Sequence, residues 1–416
     1  MTIMETTTYI KTSSYEGKKW HIKSVLLLYS GWLDTSMMLK WIQDHYEVDV
    51  ITLTLDIGQQ KDDLDAVKQK ALTFGAKKAI VLDAKDDFAD HFLAKWIKAN
   101  ASYQWDYHLS TPIGRAILAQ KAVQVAQEEN IDCIAHGCTG KWNDQVRIEW
   151  YILSIDPSKK IIAPVREWAM DRNEQIAYAQ KHNIPVPASV DFPYSVDDNM
   201  RWMTWEWWEI EHPHMIAPVE KFLTTYTLPE NAPNQKEYVT ITFDKGIPTA
   251  IDGEKQKLSS IILALNTLWW KHGVGITHMI EDRLVWLKNG GIYEQPGGHI
   301  IIQAHKSLEK YVSTRQLNEL KAMMDIKRWY LCYGALWYDP AMDAINAFND
   351  FVNEKVSGDV TIELFKWNLT IVQIDSPHGL DYTSFNMDEW YDFNVNCSAG
   401  FIEIHSLQMK LAHQKK

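Results

Sequence analysis

The feature that most narrows the possible folds is a repeated passage from a short apolar run, through a small-residue loop, into a helix. Val25-Leu26-Leu27-Leu28-Tyr29 is such a run, followed by Ser30-Gly31. Residues 35–45 then read as a helix with Met38, Trp41 and Ile42 on one side. A second run over 48–55 ends at Asp56-Ile57-Gly58. A helix over 64–74 leads into a third run at 79–82, and a helical stretch over 112–129 leads into Cys133-Ile134-Ala135, which ends at His136-Gly137. Strands alternating with helices predict a parallel sheet with helices on both faces. Such sheets bind ligands at the carboxyl ends of their strands, where Ser30-Gly31 and His136-Gly137 both lie.

A chain of 416 residues has room for two or three domains. Its formal charge of −12 makes nucleic acid an unsuitable main partner. The four cysteines form no disulfide framework, and Cys133 and Cys138 have no second pair beside them to complete a metal site. No apolar run reaches the ~18 residues of a membrane span. The first twenty residues lack the apolar stretch of a signal peptide. These features predict a cytoplasmic protein with a disordered tail over 1–22. Ile184-Pro185-Val186-Pro187 marks a boundary, beyond which alternating runs such as 238–243 predict antiparallel strands mixed with helices. Residues 402–414 read as a short terminal helix.

Two loops carry chemistry. Tyr29-Ser30-Gly31-Trp32-Leu33-Asp34-Thr35-Ser36 joins a strand to a helix start through small and hydroxyl residues, a cradle suited to phosphate. Its plainer reading is a turn capped by Asp34 or Thr35. His136-Gly137-Cys138-Thr139-Gly140-Lys141-Trp142-Asn143-Asp144-Gln145-Val146-Arg147 stands in the equivalent place after another strand. Asn143 and Arg147 are four apart and share a helical face. An amide beside a guanidinium suits a substrate carboxylate.

These loops closely resemble the AYSGGLDTS and HGxTGKGNDQVRFE signatures of the argininosuccinate synthase family. The resemblance runs over 24–409. It includes 162–168, Pro193-Tyr194-Ser195-Val196-Asp197-Asp198-Asn199, 271–275, Gly290-Gly291-Ile292-Tyr293-Glu294 and the terminal 400–407. It implies an α/β fold: a parallel-sheet, PP-loop ATP pyrophosphatase-like nucleotide-binding domain over 23–187, an α+β synthetase domain over 188–395, and an oligomerisation helix with its tail over 396–416. The implied reaction joins citrulline to aspartate through citrullyl-AMP and splits ATP to AMP and pyrophosphate. Mg²⁺ is implied with the ATP, and the implied assembly is a homotetramer.

By matching position, ATP would be held by Leu28, Tyr29, Ser30, Gly31, Asp34, Thr35, Ser36, Leu55, His136, Gly137, Thr139, Gly140 and Lys141. Citrulline would meet Tyr107, Asn143, Arg147, Ser195, Thr204, Glu281 and Tyr293. Aspartate would meet Thr139, Asn143 and Asp144, and Asp34 and Asp144 would serve catalysis. Thr204 keeps a hydroxyl where the family has Ser. Locally, Tyr107 and Tyr293 also read as core aromatics, Glu281 as part of a surface charge run with Asp282 and Arg283, and Thr111-Pro112 as a helix cap and first turn.

The sequence departs from the pattern in its tryptophans. Trp32, Trp142 and Trp286 stand at family glycines, and Arg201-Trp202-Met203-Thr204-Trp205-Glu206-Trp207-Trp208 replaces a segment with small residues. If Trp32 takes a glycine's positive φ it is strained, and ATP binding is weakened. The rival expectation is therefore an impaired or inactive homologue that acts as a binding or structural protein.

Overall fold

Strand β1 (Ser24–Leu28) sends alternate side chains to opposite faces. Leu26 and Leu28 join one buried cluster with Ile113, Ile117 and Val123, whereas Val25 and Leu27 join another with Met38, Leu39 and Ile42. A strand apolar on both faces needs helices on both sides, and the neighbours of β1 supply them. The computed structural model describes residues 13–59, 63–138, 143–168, 170, 172–185, 195–200, 202–206, 210, 214–216, 227–284, 287–381 and 394–415.

The other strands of this sheet are β2 (Asp49–Asp56), β3 (Lys78–Asp83), β4 (Cys133–Ala135) and β5 (Lys160–Ile162). All pairings are parallel, in the order β3-β2-β1-β4-β5. The helices between them are α1 (Leu33–Tyr46), α2 (Leu64–Thr73) and α3 (Ser110–Glu128), and α4 (Asn143–Ile155) follows β4. Helix α3 begins before the expected Thr111-Pro112 cap. Its N-cap is buried Leu109 in the left-handed region at φ +67°, with no side-chain cap. Thr111 instead donates its backbone N–H to the Tyr107 hydroxyl at 3.1 Å.

Residues 13–22 are not the expected disordered tail. Tyr15 N–H donates to Ile161 O at 2.9 Å, Ser14 bridges to Ile161, and Arg166 pairs with Glu16, so this segment lines the β5 edge. Residues 1–12 of that tail lie outside the described residues, as does the expected boundary at Pro187.

The antiparallel expectation for the second half holds. Strands β6 (Ser195–Asn199), β7 (Trp202–Glu206), β11 (Ile276–Asp282) and β12 (Lys288–Glu294) form a sheet of order β11-β12-β7-β6. Strands β8 (Glu237–Asp244), β9 (Ile247–Ile251), β10 (Glu254–Lys255), β13 (Gly358–Phe365) and β14 (Asn368–Asp375) form another, ordered β10-β9-β8-β13-β14. Helices α5 (Leu258–His272), α6 (Pro296–Val312), α7 (Arg315–Tyr333) and α8 (Pro340–Asn353) complete this half. Residues through His378 make one compact unit, and Gly379 onward makes a second. The second contains α9 (Cys397–Gln414), which starts earlier than expected and exposes Phe401, Ile402, Ile404, Leu407 and Leu411.

Helix α7 is held by buried charge. Lys321 Nζ lies 2.8 and 2.7 Å from the two Asp325 carboxylate oxygens and 3.2 Å from Glu309 Oε2 of α6. Asn100 donates to the other Glu309 oxygen at 3.0 Å. Burial pushes the Asp325 acid up to about 7, against the pull of Lys321. Lys321→Met leaves two buried carboxylates without their cation and should cost roughly 3–5 kcal/mol, read by denaturant unfolding. Between the ordinary Asp value of about 4 and the folded value, the native state holds a proton that the unfolded chain has lost. Stability from this group therefore falls as pH rises through that window, and the variant's deficit should be smaller at acidic than at alkaline pH.

Candidate active site

The first loop is pinned before it turns. Tyr29 N–H donates to Leu53 O at 2.9 Å, and Thr54 Oγ1 donates to Tyr29 O at 2.8 Å. Leu28 and Leu55 are buried at the carboxyl ends of β1 and β2. The chain reverses at Gly31, whose φ is +79°. A Cβ there would stand 2.8 Å from the Val67 Cγ2 of α2, so both conformation and space require glycine. Ser30 Oγ and Thr35 Oγ1 lie 3.1 Å apart, while Ser36 Oγ donates to Trp32 O at 2.9 Å and sits 3.0 Å from the Tyr29 hydroxyl. Asp34 is exposed in the first turn of α1. Lys70 donates to Gly31 O at 2.6 Å, and burial lowers its pKa. A helix start lined by hydroxyls, with the Lys70 cation of α2 reaching the loop, suits a phosphate group.

The second loop leaves β4 in the same direction. His136 N–H donates to Ile162 O at 3.3 Å. Its Nδ1 accepts from Cys138 N–H at 3.2 Å, which leaves Nε2–H to face Glu149 at 3.1 Å. Gly137 is again confined, because a Cβ would stand 2.8 Å from the Met38 Cε of α1. Thr139, Gly140, Lys141 and Trp142 lie outside the described residues.

Helix α4 opens at Asn143 and places Asp144 and Arg147 in its first turns. Arg147 Nη1 donates to Asp144 Oδ1 at 3.0 Å, and Arg115 Nε of α3 donates to Asp144 Oδ2 at 2.9 Å. Arg115 also reaches Asp197 of β6 at 3.0 Å. Burial alone would raise the Asp144 pKa, but the two guanidiniums hold it below the usual carboxylate range. The same burial, outweighed by these carboxylates, leaves Arg115 and Arg147 firmly protonated.

The antiparallel sheet supplies the facing wall. Tyr293 of β12 and Thr204 of β7 are directly paired, so their side chains share one face. Tyr107 packs on Tyr293 with ring centroids 4.4 Å apart. Glu281 of β11 is buried rather than part of a solvated charge run. Burial raises its pKa, partly offset by Arg147, Arg283 and hydrogen bonds from the Tyr333 and Tyr293 hydroxyls. Tyr333, at the end of α7, stacks on Tyr103 with centroids 3.8 Å apart. Ser195 opens β6, and its side chain lies outside the described residues.

Comparison with known proteins fixes the lineage. Residues 24–185 match the model for the "Arginosuccinate synthase N-terminal HUP domain", and residues 194–412 match the "Arginosuccinate synthase C-terminal domain". The chain belongs to the argininosuccinate synthase family. It is 41% identical to the argininosuccinate synthase of Pyrococcus furiosus over 94% of both chains. It is 40% identical to that of Symbiobacterium thermophilum over 94% of this chain and 97% of the relative. For Dictyoglomus turgidum the figures are 42% identity over 93% of this chain and 96% of the relative.

Within this argininosuccinate synthase frame the expected residues fall into two groups. Leu28 to Ser36, Leu55, His136 and Gly137 gather at one end of the parallel sheet. Tyr107, Asn143, Asp144, Arg147, Thr204, Glu281 and Tyr293 gather between α4 and the antiparallel sheet. Three neighbours escaped the sequence reading: Lys70, Arg115 and Tyr333. Arg115 had a usable signal, a lone cation in an otherwise apolar and largely buried stretch of α3 that includes Ile113, Ala116, Ile117 and Ala119. Lys70 and Tyr333 stand in no motif.

The impaired-homologue expectation is not supported. Trp32 has φ −70° and ψ 168°, ordinary extended backbone, and its indole is 62% exposed. The positive φ falls one residue earlier, at Gly31, which the chain retains. Trp205 does not overlie the site. It alternates to the face opposite Thr204, is fully buried, and donates its indole N–H to Glu294. Trp142, Trp207, Trp208 and Trp286 lie outside the described residues. Trp32→Gly should therefore leave the ATP dissociation constant within about twofold by calorimetry, as for most exposed sites. Gly31→Ala, which meets both Val67 and a forbidden φ, should cost roughly 1–3 kcal/mol of loop stability and weaken ATP binding accordingly.

Proposed function

We propose that the chain condenses citrulline with aspartate at the expense of ATP, the step that yields argininosuccinate in arginine biosynthesis. Membership of the family carries the reaction. For the citrulline-binding residues, the supporting observation is a pair of orphaned polar atoms. Arg147 Nη2 and Thr204 Oγ1 are buried without a hydrogen-bond partner among the described residues. Buried polar groups are nearly always paired, so two orphans at expected citrulline positions support a polar ligand that completes them.

In this reading the triphosphate lies on the loop from Ser30 to Ser36, opposite Gly137, with adenine against Leu55. The citrulline ureido oxygen attacks the α-phosphorus, the bond to pyrophosphate breaks, and citrullyl-AMP forms. The aspartate amine then attacks the ureido carbon, AMP leaves with the bonding pair, and the amine loses a proton. Such chemistry rests on placing reactants and stabilising charge. Asp144 fits a positioning role, because both its oxygens are engaged and its carboxylate is held ionised. It orients Arg147 toward the citrulline carboxylate and leaves Asn143 to face both substrates. Mg²⁺ would accompany the triphosphate, and the hard oxygen atoms of the first loop suit such an ion.

The same proposal includes a homotetramer and cytoplasmic residence. The exposed apolar side chains of α9 support assembly, since such a surface is normally covered. No helix among the described residues is long and apolar enough to cross a membrane, and all four cysteines are free.

A coupled pyrophosphate-release assay tests the reaction: release should require citrulline and aspartate together, and release with neither present would refute the assignment. Arg147→Ala removes a charge-assisted contact of roughly 1.5–3 kcal/mol and should raise the citrulline KM about ten- to a hundredfold, leaving the ATP KM nearly unchanged. Truncation at Ser398 should convert a tetramer to smaller species by light scattering. A monomeric intact chain would contradict the assembly.

A further inference from the structure

Tyr333 stands 190 residues beyond Asn143, in no recognisable motif, yet it touches three of the residues assigned to citrulline. Its hydroxyl accepts from Asn143 Nδ2 at 2.9 Å and lies close enough to Glu281 to favour the ionised carboxyl. Its carbonyl accepts from Arg147 Nε at 3.3 Å, and its ring lies under the Arg147 guanidinium, 4.7 Å from centroid to Cζ. The ring is 2% exposed and clamped on its other side by Tyr103. A side chain held this firmly is itself a template.

The contacts divide the donors between protein and ligand. Asn143 Oδ1 accepts from Leu284 N–H at 2.8 Å, so its amide cannot flip without breaking that bond and the one to Tyr333. One amide hydrogen remains for substrate. Arg147 spends Nε on the Tyr333 carbonyl and one Nη1 hydrogen on Asp144, and its Nη2 has no partner among the described residues.

We infer that Tyr333 is a positioning residue of the citrulline site, acting through Asn143, Arg147 and Glu281 together. The inference rests on the citrulline assignment proposed above. It adds an element supplied by the end of α7, in direct contact with Asn143 and Arg147 of α4. A hydroxyl that fixes the Asn143 amide beside Glu281 and Arg147 holds these groups where a ureido or amino-acid group can meet them.

Tyr333→Phe keeps the ring, the Tyr103 stack and the carbonyl contact, and removes only the hydroxyl. The citrulline KM should rise about five- to tenfold, with ATP and aspartate KM values within about twofold of the parent. A pH profile supplies a readout that mere packing would not move. The groups facing Glu281 are Arg147 of α4, Arg283 beyond β11, Tyr293 of β12, Tyr103 and Tyr107 of the preceding loop, and Tyr333. Loss of the Tyr333 hydrogen bond removes an interaction that favours the carboxylate. The acidic limb of kcat/KM for citrulline should therefore move to higher pH, and in a Glu281→Gln background Tyr333→Phe should no longer move it. An unchanged citrulline KM and limb would overturn the inference, as would an equal loss for all three substrates. Should Tyr333→Phe fold poorly, citrulline calorimetry on Tyr333→Trp and Tyr103→Phe decides: the first should lose binding and the second should retain it. Failure of the parent chain itself to use citrulline would instead sink the reading on which this rests.

Discussion

The interaction on which the site depends is the half-buried carboxylate of Asp144 between two guanidiniums. An ion partly withdrawn from water needs partners, and removing one strands the others in a site that solvates them poorly. Here the partners come from separate elements: Arg115 from α3, Arg147 from α4, and Asp197 from β6 at the far end of Arg115. The string therefore ties the parallel sheet's helices to the antiparallel sheet. Because both Asp144 oxygens are occupied, the geometry of Arg147 is settled before any substrate arrives. Preorganised charge of this kind orients a ligand without the cost of rearranging the protein.

Much of this was legible in the sequence. The parallel sheet was readable because β1, β2 and β4 are apolar on both faces and because turns and helices punctuate them. The two ligand loops were readable because small and hydroxyl residues follow strands directly. Asn143 and Arg147 were readable as one helical face, and both do contact Tyr333. Legibility failed where the determinant is a distant partner. Nothing near Tyr333 says that its hydroxyl meets Glu281, and nothing in α2 says that Lys70 reaches the Gly31 carbonyl. The start of α3 was misplaced for a related reason. A cap was expected at Thr111, but tertiary packing buries Leu109 in a left-handed conformation that its own side chain disfavours.

Trp32 illustrates a subtler limit. A motif identifies which loop positions are usually glycine, but it does not say which of them bears the positive φ. In this chain the steric requirement falls on Gly31, squeezed against Val67, while its neighbour adopts extended backbone with its side chain in water. A tryptophan beside a phosphate loop is thus compatible with an ordinary loop. The abundance of this residue has more than one meaning along the chain, since Trp96 and Trp205 are fully buried and Trp20, Trp105 and Trp150 are exposed.

The wide separation between Asn143 and Tyr333 has a consequence for how the chain comes into being. Contacts across such spans close late, because the loop entropy must be met before the contact is gained. On a ribosome that adds about 5–20 residues per second, the α4 segment would be complete roughly 10–40 s before the end of α7 exists. Through that interval Arg147 has neither the Tyr333 carbonyl nor its ring, and the parallel half must shield its ions with water or a chaperone. The end of α7 is thus also the last piece of the candidate site to be synthesised, so the two loops of the parallel sheet exist well before the wall that Tyr333 adds to them.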